Sequence, residues 1–308
     1  MRILLYGINY SPELTGIGKY SGELAPWLAN RGHKVHIVTA PPYYPQWKVA
    51  EGFVAWRYQV RVVAGVTVYR CPLYVPRRVT ALKRLLHLAS FAFSSFFVML
   101  RHLVWKPQVV VLVVPTLFCA FGALLVARVT GAKCVLHVQD FEVDALFGLA
   151  GSNGGVVNRF ALGLERWLLK RFDRVSTISP GMIKRAVAKG VDPGRVVFFP
   201  NWSGVKPFKL MRRDERLLRS LGVPAASRVV LYSGNVGEKQ GLEVVLDAAH
   251  RLSGGGYQLS AQEDWCFLIV GEGAGKARLV EQARQLRLAS VVFAPLQSLE
   301  VLPALLAS

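Results

Sequence analysis

Residues 109–114 read Val-Val-Val-Leu-Val-Val, a run with no polar side chain. A strand that is apolar on both faces is typical of a parallel sheet covered by helices on both sides. Similar short runs alternate with helical patterns along nearly the whole chain, which predicts an α/β fold built from right-handed crossover units. Strands are predicted at 3–6, 35–39, 109–114, 134–138, 174–178, 196–199, 229–233, 266–270 and 291–294, and helices at 20–30, 82–105, 117–129, 156–171, 180–188, 242–252, 275–286 and 299–306.

The pattern restarts after a polar, basic stretch near residues 204–224. This predicts two Rossmann-like domains, 1–204 and 205–308. The first has at least six predicted strands and the second only three. A three-stranded parallel sheet leaves long unpaired edges, which folded proteins normally cover. We therefore expect the second domain to be incomplete in this chain.

Two local features qualify the helix predictions. Pro26 falls inside the helix predicted at 20–30, and an internal proline removes a hydrogen bond at a cost of roughly 3 kcal/mol. We expect a kink or a late helix start there. Residues 253–264 contain three glycines and mixed polar side chains, a composition that predicts a mobile surface loop.

Positive charge is unevenly distributed along the chain. The sequence has 38 Lys and Arg against 19 Asp and Glu, and residues 52–139 contain eleven Lys or Arg and no acid. Within that segment, residues 85–100 carry no charge and are bracketed by Lys83, Arg84 and Arg101. A membrane span needs about 20 apolar residues, so this helix more closely fits one that lies in the interface of an anionic membrane. A buried core helix is the alternative.

Other classes of protein fit less well. Nucleic acid would also attract such charge, yet no nucleic-acid-binding motif accompanies it. The four cysteines have no paired spacing that indicates disulfides or zinc. The N-terminus lacks the pattern of a secretory signal. We expect a cytoplasmic protein, peripheral to the inner face of the cell membrane.

Three glycine-rich turns each follow a predicted strand and precede a helix. They contain Gly16 and Gly18, Gly234 with Asn235, and Glu272 with Gly273. Such turns let backbone N–H groups approach an anion beside the positive end of a helix. None has the full spacing of a dinucleotide fingerprint or a phosphate-binding loop of nucleotide triphosphatases. Purely structural turns remain the alternative.

Three charged or polar side chains are candidates for chemistry. His137 and Asp140 follow the strand 134–138, where acid, base or sugar-hydroxyl contacts are commonly built. Alternation places His137 and Gln139 on one face of that strand. Lys239 lies among the glycines of the second turn, where its amine would neutralise a departing diphosphate. A buried structural histidine and a solvated surface lysine are the alternatives.

In combination these motifs resemble a known family. Gly16-x-Gly18, Gly32-His33-Lys34-Val35, Ser176-Thr177-Ile178-Ser179, Pro200-Asn201-Trp202, Ser233-Gly234-Asn235 with Lys239, and Gly271-Glu272-Gly273 resemble the retaining GT-B glycosyltransferases of family four. The stretches 9–13, 137–140, 200–202 and 234–241 are similar to the colanic-acid and O-antigen branch, which transfers fucose-like or fucosamine-like sugars.

The resemblance implies transfer of a (deoxy)hexosyl group from a UDP- or GDP-sugar to a lipid-linked oligosaccharide, with no cofactor and no metal. Roles carry over by position. Gly16 and Gly18 would contact diphosphate or acceptor, and Asp140, with His137 beside it, the transferred sugar. On the donor side the implied residues are Gly234, Asn235, Lys239, Glu272 and Gly273, with Leu296 and Gln297 near the base.

The chain departs from the family pattern in two places. Asn235 and Gln240 replace the usual arginine and lysine, so the phosphate cation would be Lys239. The second-domain Glu-x7-Glu stretch has no counterpart before Ser308, which indicates a fragment or a shortened relative. Two alternatives to transfer follow: a non-catalytic membrane-associated binding or scaffold relative, and a sugar-nucleotide epimerase.

Overall fold

The structure, a computed structural model, describes residues 1–13, 16–141, 155–202, 211–253, 265–298 and 300–307. The chain divides into two compact units, Met1–Trp202 (unit 1) and Ser203–Ser308 (unit 2). Each unit has its own β-sheet with helices packed on it. All nine predicted strands are present, and their ends differ from the predicted ones by no more than one residue.

The described elements are as follows. Unit 1 contains β1 (Arg2–Tyr6), α1 (Gly16–Asn30), β2 (Lys34–Thr39), β3 (Gln59–Val63), β4 (Val66–Arg70), α2 (Ala81–Trp105), β5 (Val109–Val114), α3 (Ala120–Thr130), β6 (Lys133–Val138), α4 (Val156–Leu169), β7 (Arg174–Thr177), α5 (Pro180–Ala188) and β8 (Val196–Phe198). Unit 2 contains α6 (Glu215–Ser220), β9 (Arg228–Ser233), α7 (Glu243–Ser253), β10 (Trp265–Val270), α8 (Lys276–Gln285), β11 (Val291–Ala294) and α9 (Leu302–Leu306).

The unit 1 sheet has the strand order β3-β4-β2-β1-β5-β6-β7-β8. Every neighbouring pair is parallel except β3 with β4, which pair antiparallel. The apolar strand β5 lies inside the sheet between β1 and β6. Because all the parallel strands run the same way, the loops that follow them meet along one edge of the sheet.

Helices cover both faces of this sheet. On one face α2 and α3 pack on the central strands, and fully buried Phe91 of α2 contacts Tyr6 of β1. On the other face α1 packs Ala25 against β1, β2 and β4. Burying a side chain such as Phe91 stabilises the fold by roughly 2–3 kcal/mol. These contacts hold the edge that carries the candidate residues.

The unit 2 sheet has the parallel order β11-β10-β9. Leu246 of α7 and Leu279 of α8 pack on one face, and Leu218 of α6 and Leu305 of α9 pack on the other. The central strand β10 is therefore buried on both sides. This explains why its sequence, Trp-Cys-Phe-Leu-Ile-Val, contains no charged residue.

Three parts of the chain need comment: the hairpin of β3 and β4, the first helix and the loop predicted at 253–264. The hairpin of β3 and β4 was not predicted. Of the kink or late start expected at Pro26, the late start is wrong, because α1 begins at Gly16 and contains Pro26 within it. The kink stays a prediction. Of the predicted loop 253–264, Ser253 ends α7 and the remaining residues lie outside the described part of the chain.

Candidate functional site

A network of polar side chains lies where β6 ends in unit 1. His137 and Gln139 lie on the same face, as alternation predicts, and their side chains are hydrogen-bonded over 2.9 Å. Gln139 also forms a reciprocal amide pair with Asn201: its Nε2 donates to Asn201 Oδ1 over 2.9 Å, and Asn201 Nδ2 donates to its Oε1 over 3.0 Å. The network thus joins the ends of β6 and β8.

This pairing fixes the state of the imidazole. Because Gln139 Nε2 donates to His137 Nε2, the ring proton lies on Nδ1, which donates to Ser176 Oγ over 2.9 Å. Burial lowers the pKa of His137 to about 4, so the ring is neutral at physiological pH. Both ring nitrogens bond within the protein. In this arrangement His137 orients Gln139 and Ser176.

An open cavity of about 320 Å³ extends from this network along the sheet. Its polar end is formed by His137, Gln139 and Ser176, and its walls are mainly apolar. Trp202 closes one side, where its Nε1 donates to Glu23 of α1 over 2.6 Å. The other lining residues are Tyr20, Ser21, Leu24, Val111, Val113, Val135, Arg174, Val197 and Phe199.

Asp140 lies apart from this cavity. Its side chain is exposed, and it lines a separate small cavity of about 10 Å³ with Phe141 and Glu165. Val138 and Leu136 line the same cavity, so it opens on the face of β6 opposite to His137. The structure therefore does not bring His137 and Asp140 into one pocket, contrary to the expectation that they lie side by side.

The turn with Gly16 and Gly18 is packed around a buried carboxylate, Glu13. Glu13 Oε1 accepts from the backbone N–H groups of Tyr43 and Tyr44 over 3.0 and 3.1 Å, and Oε2 accepts from Asn9 Nδ2 over 2.9 Å. A Cβ on Gly18 would lie 2.5 Å from Glu13 Oε2. Gly18 is therefore needed for this contact, whatever ligand the turn binds.

Burial decides the electrostatics of this carboxylate. Burial raises the pKa of Glu13, although the three N–H donors and the neighbouring Arg70 act to lower it. Burial also lowers the pKa of Arg70 to about 10. Arg70 Nη1 donates to Ala40 O over 2.7 Å, so it ties the loop after β2 to the end of β4. Glu13 and Arg70 together order the loops along this edge.

In unit 2 the two remaining glycine-rich turns pack against each other. Gly234 N donates to Val270 O over 3.0 Å, and Val236 N donates to Glu272 O over 2.9 Å. A Cβ on Gly271 would lie 1.8 Å from Gly234 O, and one on Gly273 would lie 2.8 Å from the Asn235 side chain. The structure thus brings the predicted donor residues of both turns to one edge of the sheet.

Lys276 connects this edge to the loop that contains Leu296 and Gln297. Its Nζ donates to Gly271 O over 2.9 Å and to Ala294 O over 3.2 Å, and it pairs with Glu272 Oε1 over 2.7 Å. Gln297 is half-buried, and its Nε2 donates to Pro295 O over 3.0 Å. The helices α7 and α8 begin at the same edge, which favours an anion there.

Lys239 lies in a short 3₁₀ turn, Glu238–Gln240, at this edge. Its side chain lies outside the described part of the structure. On either side of it, Gln240 Oε1 accepts from Gly237 N over 3.1 Å, and Glu238 Oε2 accepts from Arg278 over 2.6 Å. Arg278 also pairs with Glu243. Among the described residues, no three His, Cys, Asp or Glu side chains cluster as metal ligands would.

Comparison with known families decides the class of protein. The family described as "Glycosyl transferase 4-like domain" matches residues 15–202, which is more than half of the chain. The chain belongs to this family of glycosyltransferases. A second family, "Glycosyl transferases group 1", matches residues 214–308 of the glycosyltransferase.

Among curated relatives, the glycosyltransferase is 53% identical over 311 aligned residues to "Putative colanic acid biosynthesis glycosyl transferase WcaI" of Escherichia coli (strain K12). The alignment covers 99% of this chain and 74% of the relative.

Solved structures establish the fold. HepE of Anabaena, solved in complex with UDP-glucose, superposes with a TM-score of 0.63 at 15% identity, covering 100% of this chain and 72% of HepE. A glycosyltransferase from Rickettsia africae has a TM-score of 0.63 at 13% identity, covering 99% and 70%. These likenesses confirm the predicted GT-B type of α/β fold.

Sequence reasoning missed several residues that organise these sites. Glu13, Ser176 and Asn201 were recognised only as parts of motifs, and Lys276 and Arg278 were given no role. For Glu13 the sequence did contain a local signal: Asn9, whose amide donates to the Glu13 carboxylate, is only four residues away. Glu272 and Lys276 are also four residues apart and form an ion pair. Gln139, the partner of Asn201, lies 62 residues away, so no spacing rule identifies that pair.

Proposed function

We propose that this glycosyltransferase moves a hexosyl or deoxyhexosyl group from a nucleotide-diphosphate sugar to a lipid-linked oligosaccharide during assembly of an exopolysaccharide such as colanic acid. The observation that carries the proposal is the 53% identity, over 99% of the chain, to the Escherichia coli relative whose name states colanic acid biosynthesis. The UDP-glucose complex of HepE supports a nucleotide-sugar donor.

The donor would bind at the edge of unit 2 where the two glycine-rich turns meet. There the diphosphate would approach the backbone of Gly234, Asn235 and Gly273, near the first turns of α7 and α8. The Lys239 amine would neutralise the charge that develops as the nucleotide leaves. Leu296 and Gln297 would lie near the base. Because these groups already supply positive potential, we propose that transfer does not require a metal ion.

Transfer would retain the anomeric configuration. As the bond from the sugar to the diphosphate breaks, the sugar becomes oxocarbenium-like. The acceptor hydroxyl then attacks from the face that the nucleotide leaves, and its proton passes to an oxygen of the departing phosphate. Asp140 would contact the transferred sugar. His137, with both ring nitrogens bonded to neighbours, would act as a positioning residue that holds Gln139.

The test is a transfer assay with labelled UDP- and GDP-sugars and a lipid-linked oligosaccharide acceptor, with and without EDTA. We expect one donor class to give an EDTA-insensitive product, with the anomeric configuration of the new linkage read by NMR. Asp140→Asn and Lys239→Gln should each lower the rate by about 100-fold or more. Arg284→Gln, which removes an exposed pair with Glu281 in α8, is the control and should leave the rate unchanged.

Each alternative has its own signature in this assay. An inverted linkage would contradict the retaining mechanism. A donor that is epimerised without any acceptor would indicate an epimerase. Binding of donor without turnover would indicate a non-catalytic relative. Unchanged rates in both Asp140→Asn and Lys239→Gln would refute the site assignment.

A further inference from the structure

Helix α2 carries an apolar stripe on the face that points away from the sheet of unit 1. The stripe follows the helical repeat for about six turns and contains no charged residue. Phe93 is 71% exposed and Val104 is 86% exposed, although the opposite face of α2 is buried. The exposed large members of the stripe are Leu82, Leu86, Phe93, Phe97 and Val104.

The neighbouring helix α3 extends the same apolar surface. α2 and α3 pack side by side in one layer, where a Cβ on Gly122 would lie 3.5 Å from the ring of Phe96. The outward residues of α3 and of the turn before it are again large and apolar: Phe118, Phe121, Leu125 and Val129. We call the outward residues of these two helices the α2–α3 face. An apolar surface of this extent on a folded protein marks an interaction site.

The charges around the α2–α3 face have one sign. Lys83 and Arg101 are exposed on α2, about five turns apart and therefore on the same side of the stripe. Exposed Arg77, Arg78 and Arg128 lie just before α2 and on α3. No Asp or Glu occurs from residue 52 to residue 139. A partner that covers this face must therefore tolerate or attract positive charge.

We propose that the α2–α3 face lies in the interface of an anionic lipid bilayer, with its phenylalanines among the acyl chains and its Lys and Arg side chains at the headgroups. Charge decides between this partner and a second copy of the chain. Two copies would bring like charges together, which is unfavourable, whereas anionic lipids attract each exposed cation. The protein would then be peripheral to the inner face of the cell membrane.

The opposite side of α2 shows why the helix lies along the membrane instead of crossing it. By length and composition α2 is the one helix among the described residues that would span a bilayer. However, its inner face is fixed to unit 1 by polar contacts. Ser95 Oγ bonds to Tyr6 OH over 2.6 Å, His87 Nδ1 donates to Tyr74 O over 2.6 Å, and Ser94 Oγ donates to Pro72 O over 2.6 Å. Insertion would break all three.

The experiment is co-sedimentation of the purified chain with phosphatidylcholine vesicles, with and without about a quarter phosphatidylglycerol. We expect binding to the anionic vesicles that weakens with added salt. Phe93→Ser combined with Phe97→Ser should lower the partition coefficient by about tenfold or more. Lys83→Gln combined with Arg101→Gln should lower it by about fivefold per charge, on anionic vesicles only.

A matched control and a folding check make the result decisive. Val244 is 66% exposed on helix α7 of unit 2, so Val244→Ser removes a similarly exposed apolar side chain elsewhere and should leave binding unchanged. Thermal unfolding of each variant should match that of the parent chain. Equal binding to neutral and anionic vesicles would overturn the proposal. A second result would also overturn it: the parent chain is a dimer, the phenylalanine variant is a monomer, and both bind vesicles equally well.

Discussion

The packing of the two glycine-rich turns in unit 2 predicts a large difference between two similar substitutions. In Gly271→Ala the new Cβ would lie 1.8 Å from the backbone oxygen of Gly234. In Gly275→Ala the nearest atom, Val236 O, would be 3.3 Å away. Both positions lie in the same turn, and both changes add one methyl group. The first meets rigid backbone, whereas the second needs a shift of only a few tenths of an ångström.

The magnitude follows from the hydrogen bonds that hold the turns together. To restore a contact of 3.4 Å, the two turns must separate by about 1.6 Å, the difference between 3.4 and 1.8 Å. Such a shift lengthens three bonds that now measure 2.9–3.0 Å: Gly234 N to Val270 O, Val236 N to Glu272 O and Gly275 N to Val236 O. At about 1 kcal/mol each, their loss costs about 3 kcal/mol. Gly275→Ala should cost less than about 1 kcal/mol.

Amide hydrogen exchange of peptides from β9 and β10 measures this difference within unit 2. A loss of about 3 kcal/mol corresponds to roughly a 100-fold faster exchange of the most protected amides in Gly271→Ala. Gly275→Ala should exchange within about fivefold of the parent chain. Equal protection in the two variants would show that the turns separate without cost, and the reasoning from close backbone contact would then be wrong.

Three further predictions concern unit 1. Lys189→Met removes the buried ion pair with Glu165 and should lower the free energy of unfolding by about 3–5 kcal/mol. Lys133→Met at an exposed pair should cost less than about 1 kcal/mol in the same urea titration. Gly163→Ala in α4 meets no atom within 4 Å and should stabilise the unit by up to about 1 kcal/mol, a gain that a thermal melt would detect. Burial lowers the pKa of fully buried His87 to about 4, so the unfolded chain binds a proton below about pH 6.5 and the folded chain does not. The free energy of unfolding should therefore fall as the pH drops from about 6.5 towards 4. Between pH 7.5 and 5, the free energy of unfolding of His87→Asn should fall by about 2 kcal/mol less than that of the parent chain.

The central strands were predictable because their apolar character comes from burial on both faces. β5 and β10 are continuous apolar runs because helices cover both sides of each sheet. β3 was missed because it lies at the edge of its sheet, where four of its five residues are exposed and burial imposes no pattern. Gly65, between the two runs, was nevertheless an available turn signal in the sequence. Ala64 and Gly65 both have positive φ between the two runs, which is the geometry of a tight hairpin.

Helix α1 shows the opposite error, in which a local rule was given too much weight. Pro26 argued for a kink or a late start, yet the helix runs from Gly16 to Asn30 with no late start. Packing of Ala25 and Leu28 on the sheet, together with the contact of Gly18 with Glu13, outweighs the hydrogen bond that proline removes. Tertiary contacts of this kind bring together residues from different strands, so no window of local sequence contains them.

The glycines of the candidate site have a role in the structure that the sequence alone did not assign to them. Gly18 makes room for a buried carboxylate, and Gly271 makes room for the backbone of another turn. This role is compatible with phosphate binding and would favour it. A turn that is fixed by its neighbour presents its N–H groups in one arrangement before the ligand arrives, so less ordering remains to be done during the reaction. Gly271→Ala should therefore weaken donor binding by loosening the turn, even though its methyl group points at Gly234. A variant that loses hydrogen-exchange protection but binds the donor as tightly as the parent chain would separate the two roles and refute this link.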